Sequence, residues 1–320
     1  MNTVLKSILF AGALAFGIST QASGTKTDSP RTQFLTTEGG AIAYDDTEGS
    51  GQLVIALPGM GDLRHQYRYL RPFLSHAGYR VVTMDVRGQG ESSVEWSDYS
   101  AHAAARDVLA LMNKLGATSA IVIGNSFAAG AAAWAAHLAP EKIKGIVLIG
   151  PIMRDLPTSP WVNALVKIGF MGPWRNWFWM TYWDSLFPAQ RPADYDQYRA
   201  RLKNSLREPG RMQTLRTMVS LSKADTEAIL GKIRTPSLIV MGTRDADFQA
   251  PAKEAELLAS RLHADVVLAE GAGHYPHTEM PEEVGPKIVA FIQQLKRSDS
   301  LGTMAAVRSR PESRPKVHER

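Results

Sequence analysis

The chain has 320 residues, of which 44% are apolar and none is cysteine, so it can bury a large core but forms no disulfides and does no thiol chemistry. Its formal charge of +5 lies at the two ends: residues 1–22 carry one lysine and no acid, and residues 296–320 carry seven Lys and Arg against three Asp and Glu. The chain between them is neutral, which argues against a nucleic-acid partner.

The first 22 residues have the layout of a cleavable export signal. Lys6 is followed by about a dozen mostly apolar residues and then by small and polar ones. We expect cleavage after Ala22, with Gly24 as the alternative, and an exported protein, periplasmic or secreted. The apolar stretch is short for a membrane span, so no stable membrane insertion is expected. The other interpretation is an uncleaved helix or a mistaken start codon.

Strand and helix signals then alternate along the chain. A hairpin is predicted at Gln33–Leu35 and Ala41–Tyr44, around a Gly-Gly turn. Continuous apolar runs, typical of strands buried on both faces of a parallel sheet, follow at 52–57, 79–84, 121–123, 145–149, 236–241 and 265–269. Helices are predicted at 65–77, 101–115, 127–138, 251–262 and 281–296. This alternation predicts an α/β protein with a mostly parallel sheet and helices on both faces.

The alternation stops between Pro151 and about Ala224. This stretch lacks a comparable strand signal and contains five of the seven tryptophans. We therefore predict a helical insertion over the core. Its aromatic run, residues 174–183, has three interpretations: packing between insertion and core, the lining of an apolar or aryl substrate pocket, or contact with a membrane surface.

The segment Gly124-Asn125-Ser126-Phe127-Ala128 is a sharp turn between an apolar strand and an alanine-rich helix. Small residues two positions either side of a serine permit a strained backbone that projects its hydroxyl above the sheet. The N–H group of the next residue, Phe127, then points at the same space. A pentapeptide of this kind is common, so its assignment depends on the rest of the chain.

Two partners for this serine follow strands that we predict to be parallel. Asp245 ends the Gly242-Thr243-Arg244-Asp245 turn, and His274 follows Gly271-Ala272-Gly273, so both should lie at the same sheet edge as Ser126. An imidazole oriented by a carboxylate can take the proton of a serine hydroxyl. The alternatives are Asp247 or Asp155 as the acid and His277 as the base.

These motifs resemble those of the α/β-hydrolase family, whose elbow is usually G-x-S-x-G and whose partners follow in the order Ser, Asp, His. Here Ala128 takes the last elbow position. Asp85-x-Arg87-Gly88-x-Gly90-x-Ser92 is similar to the D-x-R-G-x-G-x-S segment of the family, and we expect it to hold a turn beneath the site. The resemblance covers about 33–294 apart from the insertion. It implies an α/β-hydrolase fold with a helical cap.

The resemblance also implies an organisation of the chain. Residues 23–151 and 225–296 would form the hydrolase core, and residues 152–224 would form the helical cap insertion. Residues 1–22 are the expected signal peptide. Residues 297–320 have few apolar residues and two prolines, so we expect a disordered basic tail.

The function implied is that of a serine hydrolase acting on a small molecule. Ser126 would attack a carbonyl carbon, His274 would move the proton, and Asp245 would orient His274. The N–H groups of Phe127 and Met60 would hold the oxyanion, although Pro58-Gly59 replaces the usual His-Gly of the family before Met60.

An ester with an apolar or aromatic part is the expected substrate. Members that open epoxides or remove halogens use an aspartate at the elbow, and Ser126 argues against both. The alternatives are a hydrolase of carbon–carbon bonds in ring-cleavage products and a binding protein that keeps the fold. No His, Cys, Asp or Glu cluster has metal-ligand spacing, so neither a metal nor a cofactor is expected.

Overall fold

The computed structural model describes residues 31–157 and 160–308. The expected signal segment and the last part of the predicted basic tail, residues 309–320, lie outside the described residues. Within the described ranges, no helix combines the length and the apolar composition that crossing a bilayer requires.

The centre of the fold is one sheet of eight strands. The strands are β1 (Gln33–Thr37), β2 (Gly40–Asp46), β3 (Leu53–Leu57), β4 (Arg80–Met84), β5 (Ala120–Asn125), β6 (Ile143–Ile149), β7 (Ser237–Gly242) and β8 (Asp265–Ala269). Their order is β1-β2-β4-β3-β5-β6-β7-β8. The β1–β2 hairpin is antiparallel, β2 is antiparallel to β4, and β3 to β8 run parallel. The predicted mostly parallel sheet is confirmed.

Helices fill the connections. They are α1 (Leu70–His76), α2 (Ala101–Lys114), α3 (Phe127–Leu138), α4 (Pro160–Met171), α5 (Arg175–Ser185), α6 (Tyr195–Ser205), α7 (Arg211–Ser220), α8 (Ala224–Ile229), α9 (Pro251–Leu262), α10 (Pro276–Glu279) and α11 (Pro281–Arg308). Short 3₁₀ turns occupy Arg64–Arg68 and Leu230–Lys232.

Two helices differ from the sequence expectation. The helix predicted at 65–77 is a 3₁₀ turn followed by the short α1, because Pro72 has no N–H group and fits only the first turn of an α-helix. Helix α11 continues past Lys296 to Arg308. The added segment includes Leu301, Met304 and Ala305, which favour helix, and the predicted tail overlaps it.

The core lies on both faces of the sheet, as alternating side chains of β5 illustrate. Val122 packs into a buried cluster with Val108 of α2 and Ala131 of α3. Its neighbours Ile121 and Ile123 point to the opposite face and join a second cluster. That second cluster includes Leu74 of α1 and Ile288 of α11. The strands are therefore covered on both sides, as a parallel sheet requires.

The predicted insertion contains the helices α4 to α7 and, within its described residues, no strand. These helices have a core of their own, with Trp183, Leu202 and Leu215 almost fully buried in it. Tyr275, next to His274, belongs to the same cluster. The insertion thus packs directly over the loop that carries the predicted base.

The Asp85–Ser92 turn is held from within, as by the 3.0 Å hydrogen bond from the Glu91 N–H group to Asp85, and also by partners outside the segment. Asp85 accepts a 2.7 Å hydrogen bond from the Arg64 N–H group and a 2.5 Å bond from its guanidinium. Arg87 instead forms an ion pair with Asp107 on α2. Asp85 and Arg87 therefore tie the turn to two different elements.

Candidate active site

Ser126 sits at the corner between β5 and α3 with φ 57° and ψ −123°. Left-handed φ is costly for a residue with a Cβ atom and persists where the surroundings enforce it. The Ser126 N–H group donates a 2.8 Å hydrogen bond to Ile149 O of the adjacent β6. A Cβ atom at Gly124 would overlap Ala128 O. This overlap is the physical reason for the small residue at that elbow position.

Asn125 connects the elbow to the histidine loop. Its side-chain Nδ2 donates to Ile149 O at 3.0 Å and to His274 O at 3.2 Å. The side chain is fully buried. No role was predicted for Asn125 from the sequence, although a polar residue directly before the serine at the end of a buried strand is the signal that could have identified it.

His274 lies against two carboxylates. Its Nδ1 atom is 2.7 Å from Asp245 Oδ2 and 3.4 Å from Asp247 Oδ2. The Nδ1 side of the ring is thereby occupied, and Nε2 is the nitrogen left to face a serine hydroxyl. The Ser126 hydroxyl makes no hydrogen bond to His274 in the described structure. Catalytic hydrogen bonds are often long before substrate binds.

The two acids differ in how they are held. Asp245 is buried, and its Oδ1 accepts a 3.0 Å hydrogen bond from the Asp247 N–H group. Asp247 accepts a 2.6 Å bond from the Tyr182 hydroxyl of α5. The shorter contact with His274 favours Asp245 as the orienting acid. The third candidate, Asp155, is exposed and accepts hydrogen bonds from Ser222 and from the Lys223 N–H group instead.

His277 is fully buried, and neither of its ring nitrogens has a hydrogen-bond partner in the described structure. Its ring stacks on Tyr67 with centroids 5.1 Å apart. Burial lowers the pKa of His277 to about 3, so the ring is neutral. It serves as a packing residue here.

The electrostatic environment of His274 is strongly negative. Burial alone would lower its pKa, but the charges of Asp245 and Asp247 outweigh burial and raise the pKa to about 9. Burial in turn raises the pKa of Asp247. A protonated imidazole is therefore well stabilised in this position.

The two predicted oxyanion donors border the elbow. The N–H groups of Phe127 and Met60 donate to no protein acceptor among the described residues. Gly59 brings the Met60 loop against the elbow, because a Cβ atom there would lie 2.9 Å from Ser126 Cβ. Two unused N–H groups beside a serine are the donors that an oxyanion requires.

Asp62 follows this loop and was not singled out by the sequence analysis. It is buried, and it accepts a 2.6 Å hydrogen bond from the Tyr198 hydroxyl of α6 and a 3.4 Å bond from Trp183 Nε1 of α5. Nearby, Trp179 Nε1 donates to Gly61 O at 3.2 Å. The insertion therefore holds the loop of the predicted oxyanion donor. The available signal was an acid directly after the Pro58–Gly61 loop.

Ligand atoms of Asp245, Asp247 and His274 lie within 4.8 Å of one another, a separation that a metal ion could span. Their spacing along the chain does not reveal this proximity. A metal at the Nδ1 atom would have to replace the 2.7 Å hydrogen bond from His274 to Asp245. The arrangement is that of a carboxylate-oriented imidazole, so the expectation of a metal-free site stays a prediction.

The aromatic run of the insertion serves more than one purpose. Trp179 and Trp183 are buried between insertion and core, which is the packing interpretation. Tyr182 reaches Asp247 at the candidate site. Trp174 and Trp177 are exposed. The packing interpretation therefore applies to Trp179 and Trp183, whereas pocket lining and membrane contact stay predictions.

Comparison with known proteins yields one matching family model, described as alpha/beta hydrolase fold, over residues 52–281. Among curated proteins, epoxide hydrolase B of Mycobacterium tuberculosis is 32% identical over 152 residues. That alignment covers 43% of this chain and 42% of the relative, so less than half of either protein is matched.

Several solved structures superpose on most of this chain. An esterase from Exiguobacterium antarcticum superposes with a TM-score of 0.71 at 21% identity, covering 82% of this chain and all of that one. A meta-cleavage product hydrolase gives 0.69 at 22% identity, covering 82% of this chain and 98% of that one. At these identities the likeness concerns the fold.

Proposed function

Because the chain belongs to the alpha/beta hydrolase fold family, we propose that it is a serine hydrolase that cleaves carboxylic esters with an apolar or aromatic part. The observation that carries this proposal is the conformation of Ser126. A buried serine holds a left-handed φ at the strand–helix corner, and the N–H group after it has no protein acceptor within residues 31–157 and 160–308. Strain of this kind is maintained where a nucleophile must project from the end of a sheet towards a substrate.

The first half of the reaction forms an acyl-enzyme. Ser126 Oγ attacks the ester carbonyl carbon while His274 Nε2 takes the hydroxyl proton. The carbonyl oxygen becomes negative and is held by the N–H groups of Phe127 and Met60. When the tetrahedral intermediate collapses, the bond to the alkoxy oxygen breaks and His274 returns the proton to the leaving alcohol. Asp245 keeps the imidazole in the correct tautomer.

The second half uses water in place of the serine. His274 Nε2 takes a proton from a water molecule, whose oxygen attacks the acyl carbon. The carbon–oxygen bond to Ser126 then breaks, His274 returns the proton to Ser126 Oγ, and the carboxylic acid is released. Each group is restored, so the cycle needs only ester and water.

The curated relative described above is named an epoxide hydrolase. By the family resemblance, epoxide-opening members carry an aspartate at the elbow, and this chain has Ser126 there. A hydroxyl activated by a histidine suits attack on an acyl carbon, which supports ester hydrolysis. The aromatic side chains that the insertion brings to the site, such as Tyr182, support an apolar or aromatic substrate part.

A panel of chromogenic esters of graded acyl length tests the proposal. We expect turnover by the native chain, and a loss of about 10⁴-fold or more in Ser126→Ala. Labelling with a fluorophosphonate should add one adduct, mapped to Ser126 by mass spectrometry. Ser260→Ala, an exposed serine on α9, is the matched control and should keep turnover and adduct. Undiminished ester turnover in Ser126→Ala would reject the proposal.

A second candidate is the hydrolysis of carbon–carbon bonds in ring-cleavage products. The elbow Gly124-Asn125-Ser126-Phe127 is similar to that of such hydrolases, although their glycine-rich loop is not matched by Pro58–Gly61. Spectra recorded with a vinylogous diketone acid distinguish the two: cleavage of that acid without ester turnover would favour this candidate. Absence of any fluorophosphonate adduct would favour a binding protein instead.

Export is the remaining part of the proposal. It is supported by the apolar N-terminal segment of the sequence after Lys6. Fractionation of cells that express the full chain, followed by N-terminal sequencing of the exported form, tests it. We expect a periplasmic or secreted protein that begins after Ala22. A cytoplasmic protein with an intact N-terminus would contradict export.

A further inference from the structure

The insertion exposes large apolar side chains on α4 and around the start of α5. Three of its side chains are largely exposed: Trp161 by 85%, Met171 by 69% and Trp177 by 66%. Together with the remaining exposed apolar side chains of α4 and of the start of α5 they form what we call the apolar patch: Trp161, Leu165, Ile168, Met171, Trp174 and Trp177. Trp161, Leu165 and Ile168 recur at helical spacing, and Trp174 Nε1 donates to Ile168 O at 3.1 Å, so these side chains cluster as they do at interaction sites.

The exposed side chains of α4 do not mean that this helix is detached from the rest of the insertion. The inner face of α4 carries Phe170, which is buried and contacts the rings of Phe178 and Trp179 on α5 at 5.7 and 6.0 Å. An ordinary surface helix would be polar on its outer face. Helix α4 instead exposes four apolar side chains, with Lys167 as the charged residue among them: Trp161, Leu165, Ile168 and Met171.

Positive charge accompanies the apolar patch. Residues 152–224 carry eleven Lys and Arg against five Asp and Glu, and residues 160–183 contain Lys167 and Arg175 but no acid. The neutral chain between the termini is therefore polarised, with its excess of cations in the insertion. A cationic surface with exposed tryptophans has the two features that anionic lipid surfaces attract.

A surface cavity of about 370 Å³ opens beside Trp177 and contains three of these cations. Arg175, Lys203 and Arg207 line it, and among the ion pairs of the described residues none involves these three. The one acid of the lining, Glu208, is paired with Arg211 at 3.3 Å. We call this site the cationic cavity. Three cations without an ion-pair partner among the described residues suit the binding of a phosphate group.

We propose that the apolar patch and the cationic cavity form a docking surface for an anionic phospholipid bilayer. The tryptophans would enter the headgroup region, where indole rings are favoured. The cationic cavity would receive a lipid phosphate. A second copy of the chain is a poorer occupant, because a two-fold contact would bring Arg175, Lys203 and Arg207 of both copies together.

Docking would bring the bilayer towards the candidate active site, since Trp179 of the same helix α5 contacts Gly61 beside Met60. This consequence rests on the proposed function and would favour substrates that partition into membranes. Vesicle binding measured without substrate does not depend on hydrolysis. The two proposals therefore fail separately.

Co-sedimentation with vesicles tests the docking surface, using phosphatidylcholine alone and phosphatidylcholine mixed with phosphatidylglycerol. We expect the full chain to partition more strongly onto the mixed vesicles. Trp161→Ala combined with Trp177→Ala should weaken this partitioning by about tenfold or more. Phe34→Ala, which removes an exposed aromatic ring from β1, is the matched control and should change nothing. Every variant keeps the apolar N-terminus, so its contribution is common to all.

The charge of the cationic cavity is tested separately. Arg175→Gln, Lys203→Gln and Arg207→Gln should each weaken binding to the mixed vesicles by about fivefold and leave the weaker binding to phosphatidylcholine unchanged. Lys253→Gln, an exposed cation on α9, is the control. Equal binding of native and cavity variants would overturn the proposal. If analytical ultracentrifugation showed that the native chain is a dimer and the double tryptophan variant a monomer, the apolar patch would be assigned to contact with a second copy instead.

Discussion

The hydroxyl of Tyr182 donates a 2.6 Å hydrogen bond to Asp247, across 65 residues of sequence. Tyr182 belongs to α5 of the insertion, and Asp247 to the loop after β7. The bond holds Asp247 Oδ1 and leaves Oδ2, which has no hydrogen-bond partner in the described structure, 3.4 Å from His274 Nδ1. The insertion therefore positions a second carboxylate beside the candidate base.

The pH dependence of turnover should reveal this second carboxylate. Because the pKa of His274 is raised to about 9, the ring is mostly protonated at neutral pH and cannot accept a proton. We expect kcat/KM to rise with pH through about 9. Asp247→Asn removes one of the charges that raise this pKa. The rising limb should then move to lower pH by about one unit.

The measurement is kcat/KM for a chromogenic ester from pH 6 to pH 10, in roughly one-unit steps, corrected for spontaneous hydrolysis. Asp265→Asn, an exposed acid on β8, is the matched control and should leave the profile in place. A limb that stays fixed or moves to higher pH in Asp247→Asn would show that Asp247 does not act on His274.

Exchange of each acid should separate the orienting carboxylate from its neighbour. Asp245→Asn removes the partner at 2.7 Å from Nδ1 and should lower kcat by about 10³-fold to 10⁴-fold, because an amide favours the wrong tautomer. Asp247→Asn should lower kcat by less than about tenfold at the optimum pH of the variant. Both are measured with saturating ester. A larger loss in Asp247→Asn than in Asp245→Asn would exchange their roles.

The core of the fold was predictable because its signals are local. Helix α9 and strand β8 begin and end at the predicted residues, since Pro251 marks the first helical turn and an apolar run marks the strand. The extension of α11 was not predicted. Few apolar residues and two prolines predicted disorder from residue 297 onwards, but both prolines, Pro311 and Pro315, lie beyond the described part of α11 and so do not interrupt it.

The candidate site was predictable only for those residues that a local signal places at the end of a strand. Ser126, Asp245 and His274 each follow a strand, and parallel strands bring such residues to one edge. Tyr182 and Asp62 are different, because their roles arise from contacts between the insertion and the core. The Tyr198–Asp62 hydrogen bond spans 136 residues. No periodic pattern in the sequence specifies how an insertion docks.

The close approach of the Met60 loop to the elbow should be sensitive to one methyl group. Gly59→Ala would place a carbon 2.9 Å from Ser126 Cβ and 3.1 Å from Asn125 Oδ1, so the loop must shift. Displacing an oxyanion donor should lower kcat/KM by about 10²-fold. As the control, the Cβ atom added by Gly231→Ala would meet no other atom within 4 Å, so this variant should keep full activity. Native kcat/KM in a folded Gly59→Ala variant, with folding checked by circular dichroism, would contradict this geometry.

The stability of the turn beneath the site should depend on Arg64. This buried guanidinium contacts Asp85 at 2.5 Å and Asp45 at 2.9 Å, so Arg64→Met leaves Asp85 buried and unpaired. We expect a loss of about 3–5 kcal/mol in the free energy of unfolding, measured with urea. Burial already raises the pKa of Asp85 in the folded protein, and loss of the Arg64 guanidinium would raise that pKa further. As the pH falls, Asp85 of the folded variant therefore takes up a proton and its buried charge is lost. The difference in the free energy of unfolding between the native protein and Arg64→Met should therefore become smaller at low pH. Arg261→Met, which breaks the partly exposed pair with Glu227, should cost less than about 1 kcal/mol. Equal losses in both variants would contradict the role of burial.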